Sequence, residues 1–281
     1  MLQLAGLAPS RLPDGIEPVR RFIRGRACEG GGFRGRGLAA DLYYTLFAVE
    51  ALAALKAQLP HAALRDYLYA FGEGEGLDLV HLACLARCWA DVDGAAPPAV
   101  AAGILRRLQS LPRGGAYGCF LALAAHQDLS SEIPDGDDLV RRLESLRTPE
   151  GGYADDDALP VATVPSTAAA LTVLRHLGRP ADAEATRWLL ARRLPSGGFA
   201  AAAGLPRADL LSTATALFAL ATAAVDLAPM AAGCLQFILA LRDSDAGPPC
   251  GAMGFRGEAD DETPDCEYTY YALLALGALS R

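Results

Sequence analysis

Two kinds of hydrophobic pattern alternate along this chain. In the first kind, apolar residues recur at i, i+3 and i+4 with arginines on the opposite face, which predicts an amphipathic helix lying on a core. Segments of this kind are 97–110, 138–146, 182–194 and 229–241. In the second kind, as in 41–55 and 77–92, nearly every position is apolar, which predicts a helix buried on all sides. The chain is therefore predicted to alternate outer, half-polar helices with inner, apolar ones.

A repeated phrase marks the start of the inner helices. A Gly-Gly-aromatic turn is followed by a threonine that opens a run of alanine and leucine, and the fourth copy is looser than the others. In the last three copies the aromatic residue and the threonine are fourteen residues apart. Such self-similarity indicates an array of one supersecondary unit. The copies are Gly31–Phe33 with Thr45, Gly151–Tyr153 with Thr167, Gly197–Phe199 with Thr213, and Met253–Phe255 with Thr269.

These patterns predict an all-α protein built as an (α/α)6 barrel. Each helix pair buries its apolar face only against its neighbours, so a ring of inner apolar helices is expected within a ring of outer amphipathic helices. No linker rich in proline, serine or charge divides the chain, and we interpret residues 1–281 as one domain. The six predicted repeats are 24–55, 67–92, 97–126, 139–177, 185–225 and 234–279.

Composition excludes several functional classes. Hydrophobic residues make up 52% of the chain and β-branched residues are sparse, which favours a helical core over a sheet. The formal net charge of −8 argues against nucleic acid or anionic membrane as a partner. Apolar runs are too short for an integral membrane segment, and Pro9, Arg11 and Asp14 interrupt the start where a signal peptide would be apolar. Seven cysteines without framework spacing predict reduced thiols and a cytoplasmic location.

The repeated phrases resemble the repeats of two related families. The segments 151–171 and 197–217, each a Gly-Gly-aromatic turn followed by Thr, Ala and Leu, are similar to repeats of the β subunit of protein prenyltransferases. They are also similar to repeats of the cyclases that fold squalene and other terpenes by protonation. The resemblance covers nearly the whole chain from about residue 24. It implies an α/α barrel whose central cavity holds an isoprenoid chain.

The segment 264–269, at the start of the last inner helix, resembles the D-x-D-D-T run of the cyclases. The resemblance implies that Glu267 takes the place of the middle aspartate, the acid, and Asp265 that of its partner, while Tyr268 replaces the third aspartate. Burial in an apolar site would keep Glu267 protonated, as an acid of this kind requires. A simpler interpretation is that Asp265 is a helix N-cap, since Asp41 and Asp209 occupy the same place in their own repeats.

The same segment is also similar to the D-x-C-Y run in which prenyltransferases bind zinc. Asp265 fits this run, but Glu267 stands where the cysteine belongs, and Cys266 is displaced by one position, about 100° around a helix. Tyr44 stands where the histidine ligand would be. A zinc site needs three or four suitable ligands, so the sequence argues against zinc, and we expect no bound metal. Nor does it indicate the helical partner subunit that a prenyltransferase β subunit needs.

Two sets of residues are candidates for substrate binding. Arg34, Arg36 and Arg113 lie in or beside glycine-rich turns, where they could bind a diphosphate, which would bring Mg²⁺ with it, or simply remain solvated loop residues. Aromatic residues gather at the helix starts, where they could line a cavity and stabilise a carbocation, although their spacing also suits core packing. These aromatic candidates are Tyr43, Tyr44, Phe47, Tyr117, Phe120, Tyr268 and Tyr271.

The sequence thus leads to a hypothesis of an isoprenoid-processing enzyme without a cofactor. Its preferred form is acid-initiated cyclisation of an isoprenyl chain in the barrel cavity, with Glu267 as the acid. One alternative is transfer of an isoprenyl diphosphate, as in a prenyltransferase β subunit. The other is a barrel that binds a lipid or a protein and performs no chemistry, in which Glu267 would have no catalytic role.

Overall fold

The computed structural model describes residues 1–111, 114–133, 136–243 and 251–281. Within these ranges the chain is helical apart from two short antiparallel hairpins and the connecting loops. The inner helices are α3 (Leu42–Ala54), α5 (Leu79–Asp93), α7 (Ala116–Asp128), α9 (Val164–His176), α11 (Leu210–Thr222) and α13 (Cys266–Ala278). The outer helices are α2 (Glu17–Arg24), α4 (His61–Tyr69), α6 (Pro98–Ser110), α8 (Gly136–Ser145), α10 (Ala183–Leu190) and α12 (Ala228–Ala240). A short helix α1 (Leu2–Ala5) precedes them, and the hairpins pair Phe33–Arg34 with Ala40–Asp41 and Arg242–Asp243 with Gly254–Phe255.

The inner helices form a closed ring. Each packs against the next in chain order, and α13 packs back against α3 to complete the circle. The outer helices pack on the outside of this ring, for example α4 and α6 on α5 and α12 on α13. The predicted (α/α)6 barrel is confirmed. The outer helices of the first two repeats, α2 and α4, begin before the boundaries at 24 and 67 that the pattern indicated.

The burial of the helices explains the two hydrophobic patterns. Eleven residues of α13 are buried, because this inner helix contacts inner neighbours on both sides and outer helices behind it. In contrast, α2 buries only the stripe Val19, Phe22 and Ile23 and exposes arginines on its other face. Within the described residues, no helix is both long enough and apolar enough to cross a lipid bilayer.

The repeated threonine ties each glycine-rich turn to the helix that follows it. The Thr213 hydroxyl accepts a hydrogen bond from the Phe199 backbone N–H at 2.9 Å and donates one to the Asp209 carbonyl at 2.7 Å. Thr45, Thr167 and Thr269 accept the equivalent bond from their own aromatic residue, and all four threonines are fully buried. We call this pair of bonds the threonine clasp. It explains why the spacing between aromatic residue and threonine repeats along the chain.

The glycine of the turn is required because the turn packs directly against an outer helix. Gly197 has a φ of +97°, and a Cβ there would lie 2.1 Å from the carbonyl oxygen of Gly233 on α12. A side chain at this position would therefore force the turn away from the outer ring. Together, the close contact and the clasp fix the position of the start of α11 relative to the outer helix α12.

The starts of the inner helices meet at one end of the barrel, which we call the mouth. Asp41, Asp78, Asp209 and Asp265 each accept a backbone N–H with their side chain at the N-cap of an inner helix, and Thr163 does so at the start of α9. The short helix α1 packs against α13 and α3 and extends Met1 into the interior. The barrel therefore has a mouth formed by helix N-termini and an interior narrowed by the first residues of the chain.

The clasp predicts a specific cost for losing one hydroxyl. Thr213→Val keeps the shape of the side chain but leaves the buried Phe199 N–H without its acceptor, so the free energy of unfolding should fall by about 1–3 kcal/mol. Urea denaturation followed by circular dichroism measures the change. Thr222→Val is the matched control, since this hydroxyl bonds only to the Ala219 carbonyl of its own helix. Equal stability of the two variants would contradict the assigned role.

Candidate active site

A cavity of about 240 Å³ opens at the mouth, inside the ring of inner helices. Its walls come from the N-terminal parts of α3, α7, α9, α11 and α13, and its surface is mainly apolar and aromatic. Met1 also contributes to its lining. The lining residues are Met1, Tyr43, Tyr117, Phe120, Asp155, Pro165, Ser166, Ala168, Ala169, Thr172, Leu211, Thr215, Phe218, Glu267 and Tyr271.

Glu267 projects into this cavity from the first turn of α13. Its Oε1 accepts a hydrogen bond from the Tyr43 hydroxyl at 2.7 Å, across the junction between the last and the first repeat. Burial raises the pKa of Glu267 above its ordinary value, while the Tyr43 hydrogen bond acts in the opposite direction. Glu267 is thus a carboxyl that favours the protonated form and whose conjugate base has one hydrogen-bond donor already in place.

Asp265 has a different environment although it lies only two residues away. One of its oxygens accepts the Tyr268 backbone N–H at 2.9 Å as the N-cap of α13, and the other accepts from Arg36 Nε at 2.9 Å. Its side chain is 1% exposed. Burial raises its pKa, and the Tyr268 N–H and Arg36 oppose this rise. Asp265 therefore has the N-cap role that the sequence offered as the simpler interpretation, and the hydrogen-bond partner of Glu267 is Tyr43.

The predicted aromatic residues separate into three groups. Tyr43, Tyr117, Phe120 and Tyr271 line the cavity, where the rings of Tyr117 and Phe120 stack with centroids 6.3 Å apart. Phe47 lies behind them and packs edge-on against Tyr43, with centroids 4.9 Å apart.

Tyr44 and Tyr268 form the third group and line a more polar pocket immediately outside the cavity. Arg36 lies over the ring of Tyr268, with 5.7 Å from its guanidinium carbon to the ring centroid. The structure thus separates an apolar inner chamber from a polar outer one, and Glu267 lines both.

The three candidate arginines are not brought together. Arg36 lines the outer pocket, where it bonds to Asp261 and Asp265. Arg34 lies on the first hairpin and donates to the Gly25 carbonyl at 3.4 Å, outside the lining of both pockets. Arg113 lies outside the described residues.

Asp155 is a cavity residue that the sequence reasoning did not select. Helix α7 begins at Gly115, which has no side chain to cap it, and Asp155 Oδ1 accepts the Tyr117 backbone N–H at 2.8 Å instead. A Cβ on Gly115 would lie 1.6 Å from the Asp155 carbonyl oxygen, so the glycine makes room for this loop. The glycine at a helix start, in a chain whose other inner helices begin with Asp or Thr, was the available signal.

The described residues do not fit a zinc site at the mouth. The Cys266 side chain is fully buried, its Sγ lies 3.8 Å from the Arg34 carbonyl oxygen, and burial raises its pKa. Both oxygens of Asp265 already accept hydrogen bonds, one from the Tyr268 backbone N–H and one from Arg36. No group of three or more His, Cys, Asp or Glu side chains in the described part of the chain is arranged to hold a metal ion.

Comparisons with known proteins agree with this architecture. A type II terpene cyclase, MstE from Scytonema, was solved as one variant with the product merosterolic acid A and as another with the substrate geranylgeranyl dihydroxybenzoate. The two structures are 18% and 17% identical to this chain, with TM-scores of 0.62 and 0.59, and the match covers 97% of both chains in each case. The protein geranylgeranyltransferase-I of Candida albicans with GGPP is 17% identical over 90% of this chain and 74% of its own, with a TM-score of 0.42.

No curated protein matches the chain in sequence. The family model of the prenyltransferase alpha-alpha toroid domain matches residues 7–74 and 167–280, which together are more than half of the chain. These segments include the first hairpin, α3, α11 and α13, and so the helices that carry Tyr43 and Glu267. The chain belongs to the prenyltransferase alpha-alpha toroid domain family.

Proposed function

We propose that this protein is an enzyme that cyclises an isoprenyl chain by protonating a carbon–carbon double bond with Glu267. The observation that carries the proposal is a half-buried carboxyl of raised pKa at the wall of an apolar, aromatic cavity, with a hydroxyl donor on one oxygen. Fold similarity to a type II terpene cyclase, crystallised with a geranylgeranyl substrate, supports an isoprenoid as the occupant.

The contacts of Glu267 define the first chemical step. Because Oε1 accepts the Tyr43 hydroxyl, Oε2 is the oxygen that carries the acidic proton. That proton adds to the less substituted carbon of a trisubstituted double bond, and the other carbon becomes a tertiary cation. A second double bond of the same chain attacks this cation and closes a ring. The final cation loses a proton from a neighbouring carbon to water, so the reaction needs no oxidant and no reductant.

The cavity walls stabilise the charged intermediates in two ways. The faces of Tyr43, Tyr117, Phe120 and Tyr271 present negative quadrupole density, which attracts a carbocation that has lost its hydration. The apolar surface limits water near the cation and so limits premature quenching. Both effects require the isoprenyl chain to lie in the cavity, among the N-terminal parts of the inner helices.

The position of Glu267 between the two pockets also explains how the acid is regenerated. Its carboxyl lines the apolar cavity, where protonation would occur, and the polar outer pocket, which is open to solvent. After each turnover the Glu267 carboxylate can take up a proton from water at the mouth, and this proton does not have to cross the apolar chamber. No bound cofactor is required for any step of this proposal.

Removal of the acid is the direct test. Glu267→Gln keeps an acceptor for Tyr43 but has no acidic proton, so product formation should fall by about 100-fold or more. Gas chromatography with mass spectrometry would measure cyclised products from farnesyl and geranylgeranyl chains, as alcohols and as diphosphates, and from squalene. Glu144→Gln, on the exposed face of outer helix α8, is the matched control and should keep full activity. Undiminished turnover by Glu267→Gln would refute the assignment of the acid.

Tyr43→Phe leaves the Glu267 carboxyl in place and tests only whether the Tyr43 hydroxyl tunes its acidity. Without the hydroxyl, the Glu267 carboxylate loses a donor, so its pKa should rise further and the acid should be weaker. The maximal rate should fall by about 10-fold to 100-fold, and the loss of activity at high pH should move to higher pH, because the protonated form persists longer. The pH profile of kcat measures both effects. Tyr271→Phe, which removes a hydroxyl that does not bond to Glu267, should leave the pH limit in place.

Stability provides a test that needs no substrate. A carboxyl whose pKa is higher in the folded chain than its unfolded value of about 4.3 favours folding in its protonated form, and this stability is lost as the pH rises through the folded pKa. Glu267→Gln removes the ionisation, so its advantage in unfolding free energy over the natural chain should grow as the pH rises above the unfolded value and level off once the pH passes the folded pKa. Urea denaturation at several pH values measures it. A difference in unfolding free energy that stays constant with pH would show that the pKa of Glu267 is not raised in the folded protein.

A further inference from the structure

A polar pocket lies at the mouth, directly outside the apolar cavity. It shares Glu267 with that cavity, so a chain bound with a double bond near Glu267 would have one end inside the barrel and its head group in this pocket. The lining residues are Arg36, Tyr44, Arg207, Glu258, Asp260, Asp261, Asp265, Glu267 and Tyr268.

The arginines of this pocket are already neutralised. Arg36 donates to Asp265 at 2.9 Å and to Asp261 at 3.1 Å, and Arg207 forms an ion pair with Asp260. Burial alone would raise the pKa of Asp261, but the bond from Arg36 and the backbone N–H groups of Thr263 and Gly257 lower it, so its carboxylate charge is maintained. The donors that a diphosphate would need are therefore engaged by carboxylates within the pocket.

The balance of charge in the pocket is negative. The lining contains two arginines, Arg36 and Arg207, and five carboxyl groups. Among the described residues, the carboxyl group of Glu258 has no arginine partner. Even with Glu267 protonated, the carboxylates outnumber the arginines. A diphosphate would meet like charges in a partly enclosed site, where screening is weaker than in bulk water.

We propose that the substrate carries a head group without negative charge that donates hydrogen bonds, such as an alcohol or a phenol, and that diphosphates are rejected. The free carboxylate oxygens accept hydrogen bonds from such a group, and the rings of Tyr44 and Tyr268 provide flat apolar surfaces beside it. This inference rests on the proposed function, because it takes the cavity as the binding site of the isoprenyl chain. It replaces the diphosphate pocket that the glycine-arginine turns suggested.

Magnesium is the one route by which acidic residues bind a diphosphate, since Mg²⁺ bridges carboxylates and phosphates. Asp260 and Asp261 are each held by an arginine in this pocket. In the described ranges, no group of three or more His, Cys, Asp or Glu side chains is arranged to hold an ion without the substrate. The test nevertheless includes Mg²⁺, because an ion that binds with the substrate would reverse the expected preference.

The experiment compares binding of farnesol and farnesyl diphosphate to the Glu267→Gln variant, which does not consume either ligand. Isothermal titration calorimetry is run at low and high salt, with Mg²⁺ and with EDTA, and repeated with the geranylgeranyl pair. We expect the alcohol to bind at least about tenfold more tightly at low salt, and the gap to narrow at high salt because repulsion is screened. Equal or tighter binding of the diphosphate at low salt, with or without Mg²⁺, would overturn the inference, and so would a lack of binding by both ligands.

Charge-removing variants test the cause of this preference. Glu258→Gln combined with Asp260→Asn removes two negative charges and frees Arg207, so the diphosphate should gain roughly fivefold or more relative to the alcohol. Asp226→Asn, at the opposite end of the barrel after α11, is the matched control and should leave the ratio unchanged. An unchanged ratio in the double variant would overturn the electrostatic explanation.

The proposed function and this inference fail in different ways. If the natural chain forms no cyclised product from the alcohols, the diphosphates or squalene, yet its Glu267→Gln variant binds the alcohols in preference to the diphosphates, cyclisation is refuted and the head-group preference stands. If the natural chain cyclises the diphosphates and binds them more tightly, the head-group preference is refuted and cyclisation stands. Binding is read by calorimetry and chemistry by product analysis, so neither result depends on the other.

Discussion

The threonine clasp is the interaction on which the rest of this structure depends. A buried hydroxyl such as that of Thr213 satisfies the N–H of the turn and the carbonyl of the helix N-cap at once, in a place that water does not reach. An unsatisfied polar group there would cost about 1–3 kcal/mol. Thr45, Thr213 and Thr269 form both bonds of the clasp, and Thr167 accepts the bond from the turn N–H. Because each clasp sets the start of an inner helix, the helix N-termini gather at one mouth.

In the proposed reaction, the mouth decides which carboxyl acts as the acid. Aspartates at the helix starts are consumed by capping, and Asp265 is held further by Arg36. Glu267, on the same turn but not at the cap, faces the apolar cavity and bonds only to a neutral hydroxyl among the described residues. Two carboxyls two residues apart thus differ in environment, because Asp265 accepts from an N–H and a guanidinium, whereas Glu267 borders the apolar cavity and accepts from one hydroxyl.

The barrel also combines strong apolar burial with a charged entrance. Apolar inner helices create a chamber in which a cation keeps no hydration, while arginine–carboxylate pairs such as Arg36 with Asp261 stabilise the loops around the opening. Carboxyl groups outnumber arginines at the entrance, which matches the negative charge of the whole chain. The pocket's charged side chains therefore stabilise the loops and, in our proposal, also select the substrate.

The sequence by itself determined the architecture, because the contacts that build it are local or repeat from unit to unit. These contacts require the alternating helix patterns and the regular spacing between each Gly-Gly-aromatic turn and its threonine. It also located Glu267 and its neighbouring aromatic residues, since these lie at the start of a recognisable repeat. Only the tertiary structure decided that Tyr43, 224 residues away, is the partner of Glu267, that Arg36 is neutralised, and that Asp155 caps α7 from a different repeat. Periodicity carries no information about pairs so distant in the chain, which closure of the ring alone brings into contact.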